Sequence, residues 1–351
     1  MEGAFQRAIR DAFEQAFHAG QDNPLVIGAI PFDLAEPSYL YVPRRYEWRQ
    51  RPELPGSASS EAVMPHLLDQ RSIPDEQGFK AAVTHAIANF RHSDIRKAVL
   101  SVSHELRFSA PVDIDRLLMS LRAQNPEGYQ FRVPLPDGAE LIGVSPELLL
   151  RKRGGRIQSN PLAGSAKRQP HPDQDRAAAE RLERSPKDQY EHRLVVDEVR
   201  RVLEPHCLEL DIPEQPSLLG TPALWHLSTQ VDGLLWDART TVLQLACRLH
   251  PTPAVCGFPT ERARKLINLV EPFERGVFTG MVGWCDANGD GEWVVTIRCG
   301  TVKRDIVRLF AGAGIVEASE PEAEWAEIQA KLSTMLSACG LRQRTEAGVA
   351  S

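Results

Sequence analysis

The sequence predicts an α+β fold built as one large domain. Helical and β stretches are interspersed along the chain, β runs follow one another through short polar turns after residue 280, and no clean βαβ unit occurs. The composition is that of a globular chain: 351 residues, 42% hydrophobic and 25% charged, long enough to bury a sizeable core. A net charge of −6, from 41 basic and 47 acidic residues, excludes a generic nucleic-acid binder, which needs a basic surface. No run approaches the roughly 18 apolar residues of a membrane span. The six cysteines never form CxxC, so zinc held by thiolates is not expected. Lone thiols in apolar company fit a cytoplasmic protein.

The elements follow in order. Residues 1–19 form an amphipathic polar stretch, which predicts a helix rather than a signal peptide. LVIGAI (25–30) predicts a buried strand, and residues 40–42 part of another. RQRPELPGSASS (49–60) is a Pro/Gly/Ser loop and the best candidate for mobility. A helix over 76–91 and a strand over 97–107 come next. A strand pair over 140–159 turns at Gly154-Gly155. Residues 160–174 read as a long polar loop, followed by two helices parted at Pro186. Ser185-Pro186-Lys187-Asp188 has the capping residue, the first-turn proline and the acid of a helix start. Ser319-Glu320-Pro321 suggests another start, for a final helix over 320–338. The domain is expected to span 1–340, with 341–351 as a flexible tail.

Two motifs are set aside. DANGDGE (286–292) matches half a calcium loop, but the twelfth position is Ile297 and the flanks read as strands, so a hairpin turn is expected. GAGIVE (312–317) has Glu317 where a dinucleotide fingerprint needs glycine. Its small residues still allow a ligand to approach the backbone. Acidic pairs carry more chemistry. Asp188 and Glu191 lie three apart on one predicted helix, Glu324 and Glu327 on another, so each pair shares a face. Together they could hold a hard divalent cation such as Mg²⁺ beside an anionic substrate.

The segments carrying these residues resemble the chorismate-utilising enzymes, of the anthranilate synthase component I type, and most of all the siderophore-pathway isochorismate synthases. The stretches are VIGAIPFD (26–33), KAVLS (97–101), LIGVSPELLLRK (141–152), PLAGSAKRQ (161–169) and KDQYEHRLVVDEV (187–199). LWHLST (224–229), LHPTPAVCGFP (249–259), EPFERGVFTGMVGW (271–284), GEWVVTIRC (291–299) and LFAGAGIV (309–316) continue the match. The resemblance implies two stacked, mostly antiparallel sheets with helices outside, and Mg²⁺-dependent chemistry on chorismate. It also implies that the family's N-terminal segment, with its first strand, is missing here.

Residue by residue, the resemblance implies Glu191 and Glu327 as metal ligands, with Asp188 and Glu324 as accompanying acids. It implies Arg298 as the grip on the pyruvyl carboxylate, beside backbone donors at Gly312 and Gly314. Lys331 and His226 are placed near the ring carboxylate, and Gly164 and Ser165 in a loop that covers it. Lys97 resembles the base that activates water, and Glu147 the acid that protonates the leaving hydroxyl. His192 and His250 are expected to be structural.

Within the family, Ala163 stands where aminodeoxychorismate enzymes carry a nucleophilic lysine. Lys97 stands where anthranilate synthases usually carry an uncharged residue, so water is the expected nucleophile. Ala254 and Ser165 favour stopping at isochorismate over salicylate formation with loss of pyruvate. The expected function is therefore Mg²⁺-dependent isochorismate synthesis feeding siderophore (2,3-dihydroxybenzoate) biosynthesis, with menaquinone synthesis a further route the sequence leaves open. The alternatives are a salicylate synthase and a relative that binds chorismate without turnover. No glutamine amidotransferase subunit is expected, and a monomer is.

Overall fold

A computed structural model describes residues 4–50 and 64–341 of the chain. The loop expected over 49–60 lies almost wholly outside the described residues, as does the tail after 341.

Two large sheets, both antiparallel at every pairing, form the frame. The first has eight strands in the order Cys207–Asp211, Val231–Leu235, Arg156–Asn160, Leu148–Arg153, Gly291–Val295, Met281–Asp286, Leu25–Ile30 and Tyr39–Tyr41. The second runs Gly257–Phe258, Lys97–Phe108, Ile306–Ile315, Cys299–Lys303, Glu140–Ser145 and Tyr129–Pro134, with Leu67–Ile73 also paired to Lys97–Phe108. Its spine is the ladder from Ala98 opposite Ile315 to Arg107 opposite Ile306.

The sheets stack through apolar side chains contributed by both. Ala29, Val282 and Val294 of the first meet Val133, Leu141 and Phe310 of the second in one cluster. Each outer face is closed by helices. Glu76–Phe90, Ile114–Gln124, Thr260–Val270 and Pro321–Ala338 cover the second sheet, and Pro186–Leu203 with Val242–Leu249 cover the first. The stacked α+β architecture expected from the sequence is the one observed.

Local signals act where the sequence places them. Ser185 Oγ accepts from Asp188 N–H at 3.3 Å and opens the helix Pro186–Leu203. Asp286 Oδ1 accepts from the N–H groups of Asn288 and Asp290 at 3.0 and 2.9 Å, so DANGDG is a hairpin turn between paired strands. At the last helix the cap differs. The helix begins at Pro321 behind Glu320, while Ser319 Oγ accepts from Val316 N–H at 3.1 Å.

The segment 160–174 corrects the expectation of a polar loop. Leu162–Lys167 is a strand, and a helix starts at Pro172. LAGSAK lacks the β-branched and aromatic side chains that advertise a strand. Its partner, Leu224–Ser228, comes some sixty residues later, and with Ser217–Gly220 the two make a third, three-stranded sheet.

Candidate active site

Two crossings of the chain between the large sheets lie side by side. Glu140–Ser145 belongs to the second sheet and Leu148–Arg153 to the first, with Glu147 at the step between them. Gly291–Val295 and Cys299–Lys303 make the reverse step, with Arg298 at the turn. The crossings are tied together: Val295 N–H donates to Glu147 O at 3.2 Å, and Val144 N–H to Arg298 O at 3.1 Å. Arg298 takes a left-handed φ of 49°, uncommon for a residue with a side chain. The two crossings thus deliver a carboxyl group and a guanidinium to one place.

That place is a cavity between the sheets. Glu147, Gly164, Ser165, Glu191, His226, Ala254, Arg298, Gly312, Gly314, Glu327 and Lys331 all line it. Lys97 stands behind Glu191, its Nζ 2.9 Å from Glu191 Oε1, with no aligned hydrogen bond and no solvent exposure. Asp188 and Glu324 lie outside the lining. Asp188 packs against Gly164, while Glu324 is buried and bonded to Lys187 Nζ at 2.6 Å. Phe278 and Phe310, stacked at 5.0 Å, give the cavity an apolar wall that suits an unsaturated ring.

A bare backbone edge forms another wall. Cys299–Lys303 pairs with Ile306–Ile315 only as far as Gly300 opposite Leu309, so beyond Leu309 that side of the strand has no partner in the ladder. Gly312 O on this side accepts from Lys331 Nζ at 2.7 Å. Strand alternation puts the N–H groups of Gly312 and Gly314 on the same side. Val99, opposite Gly314, donates away from it to Cys256 O, as a non-hydrogen-bonded pair requires. At Gly314 a side chain would collide with the Glu191 carboxylate, so glycine sets how closely that acid approaches.

Electrostatics separates the titratable groups. Burial raises the Glu147 carboxyl to about 7, against the opposing pull of Leu162 N–H, Lys97, Arg298 and Lys331. Burial also holds His226 well below its ordinary value, helped by Arg298 and Lys331. Its imidazole is therefore neutral, with Nε2 3.4 Å from Arg298 Nη2. Burial lowers Arg298 to about 10. For Glu327, burial opposes ionisation but is outweighed, chiefly by Lys331 at 2.6 Å. Ser165 Oγ also favours the Glu327 carboxylate, although no hydrogen bond of normal geometry joins them.

The acidic pairs do approach one another from two helices. Burial raises Glu324 to about 7, with the charge of Glu327 adding to it. Among the described residues no three acidic, His or Cys side chains converge on one point; lysines pair with Glu191, Glu324 and Glu327 instead. The donor chemistry nevertheless fits Mg²⁺. The donors are all carboxylate oxygens, two of the acids line the cavity, and Glu324 Oε2 is buried without a partner.

Two histidines are structural, as expected. His192 bonds Ala163 O at 3.2 Å and Thr229 Oγ1 at 2.7 Å, and His250 bonds Phe32 O at 3.0 Å. Sequence reasoning missed the pair Glu271 and Arg275. Arg275 bonds Glu271 Oε1 at 2.5 Å, Val99 O at 2.7 Å and Val255 O at 2.8 Å, and Glu271 Oε1 accepts from Ser101 N–H at 2.8 Å. This buried pair holds the wall of the cavity from behind. Its signal is an acid and an arginine four apart in EPFER, a spacing that does not distinguish a buried pair from a surface one.

Buried cations, a neutral histidine, a carboxyl group near neutrality and a bare backbone edge around one cavity define an enzyme for a small anionic substrate. The chain belongs to the chorismate-binding enzyme family, whose profile matches residues 45–340. It is 46% identical over 342 residues to the isochorismate synthase EntC of Escherichia coli K12, covering 97% of this chain and 87% of that one. A crystal structure assigned as the 2,3-dihydroxybenzoate-specific isochorismate synthase DhbC of Bacillus anthracis superimposes with a TM-score of 0.92 at 43% identity, over 97% of this chain and 90% of that one. The menaquinone-specific isochorismate synthase MenF of Escherichia coli superimposes at 0.80 with 25% identity, over 97% and 83%.

Proposed function

We propose that this chain is an isochorismate synthase that adds water to C2 of chorismate as the C4 hydroxyl leaves and the ring double bonds shift. The observation that carries this reading is the cavity to which two crossings between the sheets deliver Glu147 and Arg298, with Lys97 buried behind Glu191 in its wall. In the reaction Lys97 takes the proton of the attacking water. Glu147 gives its proton to the departing C4 hydroxyl, which leaves as water. A carboxyl group raised to about 7 is protonated often enough for that task near neutrality.

The remaining residues hold the dianion. Arg298 and the free N–H groups of Gly312 and Gly314 take the pyruvyl carboxylate, a planar target suited to a guanidinium fork. Lys331 and neutral His226 take the ring carboxylate, and Ser165 closes over it. Glu191 and Glu327 would hold Mg²⁺, with Asp188 and Glu324 beside them. The bound ion supplies positive charge to the ring carboxylate. Incubation with chorismate and Mg²⁺, followed by chromatography, tests the reading: isochorismate is expected, and unchanged chorismate sinks it.

A further inference from the structure

The catalytic groups are shielded from bulk water: Lys97 is 0% exposed, Glu147 3% and His226 5%. Arg298 differs in that part of the residue surface stays exposed, although its guanidinium is desolvated. It lines two spaces at once. With Pro146 it borders both the inner cavity and an outer, solvent-open chamber. The chamber is rimmed by residues 125–128 on one side and 219–222 on the other. The second rim is the turn joining the strands Ser217–Gly220 and Leu224–Ser228, the latter carrying His226.

Arg168 pins that turn. Its Nη1 donates to Thr221 O at 3.1 Å, its Nη2 pairs with Asp175 at 2.7 Å, and its guanidinium lies 4.2 Å over the Trp225 ring. Asp175 cancels the Arg168 charge. Arg298 has no acidic ion-pair partner among the described residues, so it is the cation left to draw an anion inward. Three other surface clefts share no residue with the inner cavity. One of them presents Glu36 and Glu274, which repel a dianion, beside Asp33 and Glu271, which are paired with Arg264 and Arg275.

We propose that the outer chamber is the route by which the dicarboxylate substrate reaches the cavity and the product leaves, with Arg298 the first fixed cation on the way. The proposal rests on the reading of the chain as a chorismate-converting enzyme. Its test is a thiol at the rim. Leu219→Cys places one there, and Glu127→Cys provides a second, exposed position should the first variant fold poorly. Leu269→Cys, on a helix away from the chamber, is the control. The native cysteines are buried apart from half-buried Cys247, so a bulky maleimide on the full-length protein reports the new thiol, checked by intact mass.

The labelled rim variants should lose at least about tenfold in kcat/KM while the labelled control and unlabelled proteins do not. Chorismate should slow labelling at the rim and leave the control unaffected. Full kcat/KM after rim labelling overturns the route. If the wild-type protein leaves chorismate unconverted, the functional reading has failed instead. The labelling rate alone then decides: slowing by chorismate supports the route, and an unchanged rate overturns it.

Discussion

Glu147 shows what a single residue owes to its surroundings. Its carboxyl group sits at a crossing between sheets, 3% exposed, with Leu162 N–H at 3.5 Å from Oε1. Burial keeps it protonated up to about 7, whereas in the unfolded chain it ionises near the ordinary 4.5. Its contribution to stability is therefore complete below about 4.5 and is lost as the pH rises through 7. Catalysis follows the same sign. The reaction needs the protonated acid, so kcat/KM should fall above about 7, and this limb should vanish from the residual activity of Glu147→Gln. Denaturant curves at pH 5 and pH 8 should show a smaller loss of stability for the variant than for the wild type. Lys97→Ala and Glu147→Gln should each lower kcat by roughly 10²–10⁴-fold, the usual worth of a positioned proton-transfer group. KM should change less, because Arg298 and Lys331 still hold the substrate. Near-normal kcat with collapsed chorismate binding in Lys97→Ala would make Lys97 a binding cation and send the search for the base elsewhere.

At the scale of elements, two helices bring the acids and two crossings bring the acid–arginine couple. The helices Pro186–Leu203 and Pro321–Ala338 carry Glu191 and Glu327 to the cavity wall. Chelation by EDTA should abolish turnover, Mg²⁺ should restore it, and Glu191→Gln or Glu327→Gln should resist that rescue; full activity in chelator refutes the metal assignment. The ion pair of Glu271 and Arg275, both side chains 3% exposed, supports the opposite wall. Removing one partner strands a buried charge, so Arg275→Met should cost about 3–5 kcal/mol in urea denaturation. The sequence disclosed these elements unevenly. The acidic pairs were legible because helical spacing puts residues three apart on one face. The strand Leu162–Lys167 was hidden because its signal is a distant partner, not its own composition, and Ser165 was therefore placed on a loop. The unpaired edge beyond Leu309 was equally invisible, since it depends on where a neighbouring strand departs. The positions of Glu147 and Arg298 could be matched to a family motif, but their convergence is a property of two stacked sheets.

The whole molecule sets the outcome of the reaction by which groups surround the ring and which are missing. Ala163 lines the cavity where a nucleophilic lysine would divert the intermediate, and Ala254 adds only a methyl group to the same space. Lys97 is enclosed next to Glu191, 2.9 Å from Oε1. The expected product is isochorismate alone, made at the same rate with or without glutamine or ammonium. A lactate dehydrogenase assay coupled to the reaction should detect no pyruvate beyond the background of spontaneous chorismate decay. Pyruvate formed in step with chorismate consumption would move the assignment to salicylate synthesis. Binding of chorismate without any product, seen as protection of the fold against heat, would leave a pocket that holds its ligand and does no chemistry.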